Sequence, residues 1–370
     1  MSKSKDELFD VVARTARAAL SLQRADGSLP AGENGPWKDR ETPVRNTGYW
    51  LITFLKAFDI TGDLSYLRAA EKAVLYLTSG PTRPHGRTFM HRISPFKDSC
   101  NGLIGQAWTI EALTVAGHKM ARGDLHALAE EVVLIHPFNT SLGLWRTVDI
   151  DGRQLTLCPT FNQQLWFAAI VGQLGKASQA NHLTQMAAHF LDNLEHHLRT
   201  FQDGLIHHGL YTAPHYLARA PYLVAKDQLK HARAALLPPQ RYLELSVGYH
   251  SFNLYALALM KEVFPEHRFW TNQKLGLVMA YRHARQYRLE LKHNRFAFSY
   301  NPTGIEIAFA LNRLKPDTEE EQRRWLTQQF SNYFDWRSGL MSLQSLDPMT
   351  SAARIYEVTR LRNYPLTVSS

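Results

Sequence analysis

The stretch FKDSCNGLIGQAWTIEAL at 96–113 sets Asp98, Cys100 and Asn101 directly before an apolar run with helical spacing. An aspartate there can cap the helix, or it can give or take a proton at a substrate. VGYHSFN places Tyr249 beside His250, a phenol and an imidazole in one turn, both able to act as acid or base. Glu306 lies in the apolar run IEIAFAL, where an acid needs either a cation such as Arg354 or a reaction to serve. The catalytic candidates are therefore Asp98, His250, Tyr249 and Glu306.

A second set suits a polyhydroxylated ligand. The amides of Asn46, Asn101, Asn162, Gln163 and Asn301 can bind hydroxyls. Trp108, Trp145 and Tyr300 can stack on sugar faces. Arg45, His91, Arg92 and Arg354 can meet negative charge. His91 and Arg92 belong to RPHGRTFMHRISPFK at 83–97, a basic loop without an acid, which predicts a pocket for a small anionic group. His196-His197 and His207-His208 lack a third ligand at metal-binding spacing, and Cys100 and Cys158 match no zinc motif. No metal and no cofactor are expected.

The elements that position these residues are helical. YWLITFLKAFDI, LIGQAWTIEALTVAG, QLWFAAIVGQLG and FNLYALALMKEVF carry apolar residues on nearly every side, and each is followed by a more amphipathic partner. The second helix of a pair leads into a turn with Gly followed by Leu or Ile, as in ADGSLPAG, SLGLWRTV, QDGLIHHGLY and RSGLMSL. The apolar helices begin near Asn46, Asp98, Asn162, His250, Asn301 and Thr350, mostly 49 to 64 residues apart with one longer step of 88. Asn46, Asn162 and Thr350 are read as helix caps unless they serve the ligand. A repeated helical hairpin of roughly fifty residues indicates stacked units. Six hairpins predict an all-α (α/α)6 toroid, with inner helices ringed by outer ones and the long loops gathered on one face around a funnel. Residues 1–370 are read as one domain with an insertion at about 211–243.

DSCNGLIGQAWTIEAL together with NTGYWLITFLKAFDITGD resembles the six-hairpin glycosidase superfamily. Within it, the likeness is to glycoside hydrolases of surface-polysaccharide and archaeal protein-glycosylation gene clusters, distant relatives of the unsaturated glucuronyl hydrolases. The resemblance implies a glycoside hydrolase for anionic oligosaccharides, with Asp98 matching the inner-helix acid. Position 162 is Asn where those hydrolases carry a second Asp.

Bulk properties narrow the classes. The formal charge is +9 and the pI about 9.5, yet the basic residues are scattered, so nucleic acid is not an expected partner. No segment has the roughly 20 apolar residues of a membrane span, and the N-terminus reads as an amphipathic helix, so a cytoplasmic protein is expected. Three functions stay open. The first is a hydrolase of uronate-containing or otherwise anionic oligosaccharides in surface-polysaccharide metabolism. The others are a uronyl C5-epimerase or lyase working by proton abstraction, and a non-catalytic glycan-binding toroid.

Overall fold

The computed structural model describes residues 3–210 and 239–369. Five helical hairpins follow one another around a ring. Their inner helices are Val44–Thr61, Gly102–Lys119, Phe161–Ala177, His250–Val263 and Thr303–Leu314. Their outer helices are Leu64–Leu77, Gly123–Ile135, Asn181–Asp192, Gln273–Ala280 and Glu319–Tyr333. The sixth inner position is filled by the short helix Pro348–Ala353 and the 3-10 turn Arg354–Arg360, with Leu8–Leu20 outside it.

Each inner helix packs on the next, and the last turn packs on the first helix, so the ring closes. Antiparallel pairing of Lys3–Glu7 with Pro365–Ser369 ties the two ends of the chain together. Closure explains the sequence pattern. Gly102–Lys119 contacts helices on both sides and its own outer partner, so residues all around it are buried. Leu8–Leu20 has one covered face, formed by Leu8, Val11, Val12, Ala16 and Ala19 at three- and four-residue spacing.

The Gly-Leu stretches have a structural purpose. Three of them, and the loop that carries Phe89, hold a buried residue whose backbone is bound by a polar side chain from the next inner helix. The N–H of Leu29 donates to Thr47 Oγ1 at 2.9 Å. Gln106 holds both backbone groups of Phe89, and Gln164 both of Trp145, at 2.7–3.0 Å. In the fourth hairpin His250 Nδ1 accepts from the N–H of Ile206 at 3.3 Å. Buried backbone groups without such partners would cost free energy, so these clamps fix how each loop enters the ring.

Trp145 lies in a small antiparallel sheet, Phe138–Asn139, Leu144–Val148 and Gln154–Leu157, in register with Phe138. Cys100 and Cys158 are free and buried. Among the described residues no helix is long and apolar enough to cross a membrane. Most of the expected insertion at 211–243 lies outside the described residues, which resume with the helix Pro239–Gly248.

Candidate active site

A cavity of about 210 Å³ opens where the loops meet the inner helices. Its wall takes residues from hairpins one to four and from both last inner elements: Arg45, Trp108, Asn162, Tyr249, Phe252, Asn301 and Arg354 among them.

The cationic side of the cavity is built in layers. Arg45, in the first turn of Val44–Thr61, lies with its guanidinium carbon 3.9 Å from the centre of the Trp108 ring. Such a contact contributes roughly 0.5–2 kcal/mol. Its Nη1 donates to Asn34 Oδ1 at 2.9 Å and to Glu41 Oε1 at 3.1 Å, and its Nε to Tyr49 Oη at 3.2 Å. Nη2 is buried without a hydrogen-bond partner among the described residues. Arg354 is anchored from behind by Glu306 and Glu357, and its Nη1 donates to Asn301 Oδ1 at 2.6 Å.

Arg92 bridges two acids. It reaches Asp39 at 3.1 Å and Asp98 at 2.9 Å, and its Nη1 also donates to Asn101 Oδ1. Lys97 binds the other oxygen of Asp39 at 2.5 Å. Burial pushes the Asp39 carboxyl upward, but Lys97, Asn34 and the Arg92 charge outweigh it and hold it below the usual carboxylate range. Asp39 is the one carboxylate lining the cavity among the described residues, and it is a fixed anion between two cations.

The other side offers acid–base groups. His208 is held by an isolated bridge between Thr160 and Gly209, its N–H donating to Ser246 Oγ at 3.2 Å. Burial and the nearby Arg241 charge push its imidazole down to about 4, so it is neutral at physiological pH. The Tyr249 ring lies 4.9 Å away. Burial keeps that phenol protonated, and its oxygen accepts from Trp37 Nε1 at 2.9 Å.

Several polar atoms on the lining residues are buried yet have no partner among the described residues: Arg45 Nη2, Asn101 Nδ2, Trp108 Nε1, Asn162 Nδ2, Gln163 Oε1 and His208 Nδ1. Buried polar groups are rarely left unpaired, and each costs about 1–3 kcal/mol. The residues that carry these atoms line one cavity, whose amides, imidazole and guanidinium suit a hydroxyl- and oxyanion-rich ligand. Among the described residues no group of His, Cys, Asp or Glu is placed to hold a metal ion.

No protein-family model matches the chain. It is 41% identical over 366 residues to archaeal glycosylation protein Q of Haloferax volcanii, covering 97% of this chain and 98% of that protein. The chain belongs to the archaeal glycosylation protein Q family. The fold is shared more widely. Cellobiose 2-epimerase from Bacillus thermoamylovorans B4167 superposes with a TM-score of 0.62 at 10% identity, over 93% of this chain and 95% of that one. An unsaturated glucuronyl hydrolase specific for heparin gives 0.61 at 12% identity, over 95% and 94%. The (α/α)6 toroid read from the sequence is the fold of the family member in hand.

Of the residues selected from the sequence, the cavity brings together Arg45, Arg92, Asn101, Trp108, Asn162, Gln163, Tyr249, Tyr300, Asn301 and Arg354. The others do not line it. Asp98 stands at the start of Gly102–Lys119, accepting the Gly102 N–H at 2.8 Å, as a capping carboxylate does. Glu306 is fully buried between Arg354 and the Ser251 hydroxyl. His250 is the clamp on Ile206, its Nε2 facing Val278 O at 3.2 Å. Asn46, inside the first turn of its helix rather than before it, donates to Pro30 O. Thr350 receives no capping role, which falls to Asp347. His91 is buried against Thr109 Oγ1, and Trp145 packs between Phe138 and Phe167.

Sequence reasoning missed Asn34, Ile104, Thr160, Phe252 and, above all, His208. His208 lies two residues after clamped Ile206, as His91 lies two after clamped Phe89, but His91 is buried away from the cavity, so that spacing does not mark a site residue.

Proposed function

We propose that the chain is a carbohydrate-active enzyme that moves a proton at a carbon beside a sugar carbonyl or carboxylate, an epimerase or isomerase of an anionic sugar unit in glycan assembly. One observation carries this reading. A neutral imidazole with an unpartnered nitrogen, His208, shares a cavity with a protonated phenol, Tyr249, and with the unpartnered donors of Arg45 and Asn162.

With a uronate bound, its carboxylate meets Arg45 and Asn162. His208 takes the proton from the adjoining carbon, and the C–H electron pair moves onto the carboxylate oxygens, where the cation and amide stabilise the added charge. The electrons return to carbon as Tyr249 or the newly formed His208 imidazolium gives up a proton. Return to the same face exchanges the hydrogen, and return to the opposite face, presented when the sugar turns over, inverts the centre. The kinship with a glycosylation protein supports a glycan or glycan precursor as substrate, and the cationic wall supports an anionic one.

Hydrolysis is the second reading, favoured by the Arg92 bridge that ties Asp98 to the cavity wall. It needs a general acid and a second carboxylate. The lining carboxylate, Asp39, is held ionised by two cations, which suits neither protonation of a leaving group nor free movement.

The test is incubation of the purified protein with uronates and uronate-containing oligosaccharides in deuterated water. Deuterium in the recovered sugar without new reducing ends is expected. New reducing ends without deuterium would replace the proposal by the hydrolase. Glycan binding with neither product would leave a binding module.

A further inference from the structure

A second cavity, of about 340 Å³, lies between the segment after the fourth outer helix and the fifth outer helix, Glu319–Tyr333. Its wall carries Arg282, His283, Arg288, Lys292 and Arg324 against one carboxylate, Glu321. That carboxylate is already occupied: Arg282 grips it through Nε at 2.9 Å and Nη2 at 3.0 Å. Arg288, Lys292 and Arg324 have no carboxylate partner among the described residues, although all three face the same cleft. Arg288 makes one weak bond, to His283 O at 3.3 Å. Like charges gathered around one concavity repel each other and focus a positive potential, which an anion relieves.

The wall behind them is aromatic. Trp325 and Phe298 are buried there, and Phe298 stacks on Tyr333 at 5.5 Å. Phe298 also has φ 35°, a left-handed backbone that a bulky residue adopts at a cost of roughly 1–3 kcal/mol. The strain is held by Gln329 Nε2 on its carbonyl and Thr303 Oγ1 on its N–H. Strained residues of this kind cluster where ligands are clamped.

We propose that this cleft is a separate binding site for a phosphate group, taken by the forks of Arg288 and Arg324 and the ammonium of Lys292. Guanidinium forks match phosphate oxygens in pairs, and lysine adds a point charge. The phosphate can belong to a free small molecule or to the headgroup of a lipid carrying it. The site is independent of the reaction assigned to the central cavity.

Pyrophosphate is titrated into the full-length protein at low salt by calorimetry, alongside Arg324→Glu, Lys292→Glu and, as a control for the central cavity, Arg92→Gln. Both cleft positions are exposed, and unchanged melting of their variants without ligand confirms folding. Saturable binding weakened at least tenfold by either cleft substitution and not by Arg92→Gln is expected. Absence of saturable binding, or loss through Arg92→Gln alone, overturns the proposal. Flotation with phosphatidic acid vesicles and with phosphatidylcholine vesicles separates the sources. Arg324-dependent capture by the acidic vesicles supports a lipid headgroup, and pyrophosphate binding without capture supports a free phosphate compound.

Discussion

His250 Nδ1 accepts the backbone N–H of Ile206 at 3.3 Å, while the next residue toward the N-terminus, Tyr249, lines the cavity. One step along a helix separates a structural clamp from a residue placed for chemistry. With Nε2 facing Val278 O, both ring nitrogens of His250 are engaged by backbone. His250→Ala is expected to cost about 2–4 kcal/mol, from a lost buried side chain and unpaired backbone groups. Urea unfolding measures it, and His250→Gln should recover part of the loss because Gln106 and Gln164 perform the same task elsewhere.

Burial holds the His250 imidazole down to about 3, against about 6.5 in an unfolded chain. The unfolded state therefore binds more protons in this window, so the contribution is fully present above about pH 6.5 and is lost as pH falls toward the folded value. The slope is about 1.4 kcal/mol per pH unit for this one group. Unfolding midpoints at pH 7 and pH 5 should fall more for wild type than for His250→Gln.

His208→Gln is expected to lower deuterium exchange by about 100-fold or more, the scale of a lost general base. Melting should change little by comparison, and anion affinity should persist because Arg45 and Asn162 remain. Loss of binding along with exchange would assign His208 to substrate positioning instead.

Asp98→Asn separates the two catalytic readings. As a cap, Asp98 can be replaced by Asn, which also accepts the Gly102 N–H, whereas Asp98→Ala should cost about 0.5–2 kcal/mol. Proton exchange is expected to survive in Asp98→Asn, measured as deuterium uptake. Its disappearance with the fold intact would return Asp98 to the reaction and favour hydrolysis.

Arg354→Leu should destabilise the protein by about 3–5 kcal/mol near pH 8, since Glu306 and Glu357 lose their shared buried cation. Burial already pushes Glu357 up to about 8 and raises Glu306. Without the arginine the folded state binds more protons than the unfolded one, so the deficit shrinks as pH falls. Denaturant titrations at pH 5.5 and pH 8 check both size and sign.

The apolar helices, their roughly fifty-residue recurrence and the Gly-Leu turns were legible in the sequence because each follows from local periodicity and turn chemistry. Packing on both sides of a ring leaves inner helices apolar all round, and that pattern survives in one dimension. Arg45, Asn162 and Arg354 were also readable, as polar groups where such helices begin. The sequence by itself thus determined the hairpins, the ring and which helix ends carry polar residues. Only the tertiary structure decided which of those residues face the cavity. His250 and Tyr249 are adjacent in sequence, but helical rotation turns one toward the Ile206 backbone and the other toward the ligand space. His208 entered the site because Ile206 is clamped, a contact spanning 44 residues that no local pattern encodes.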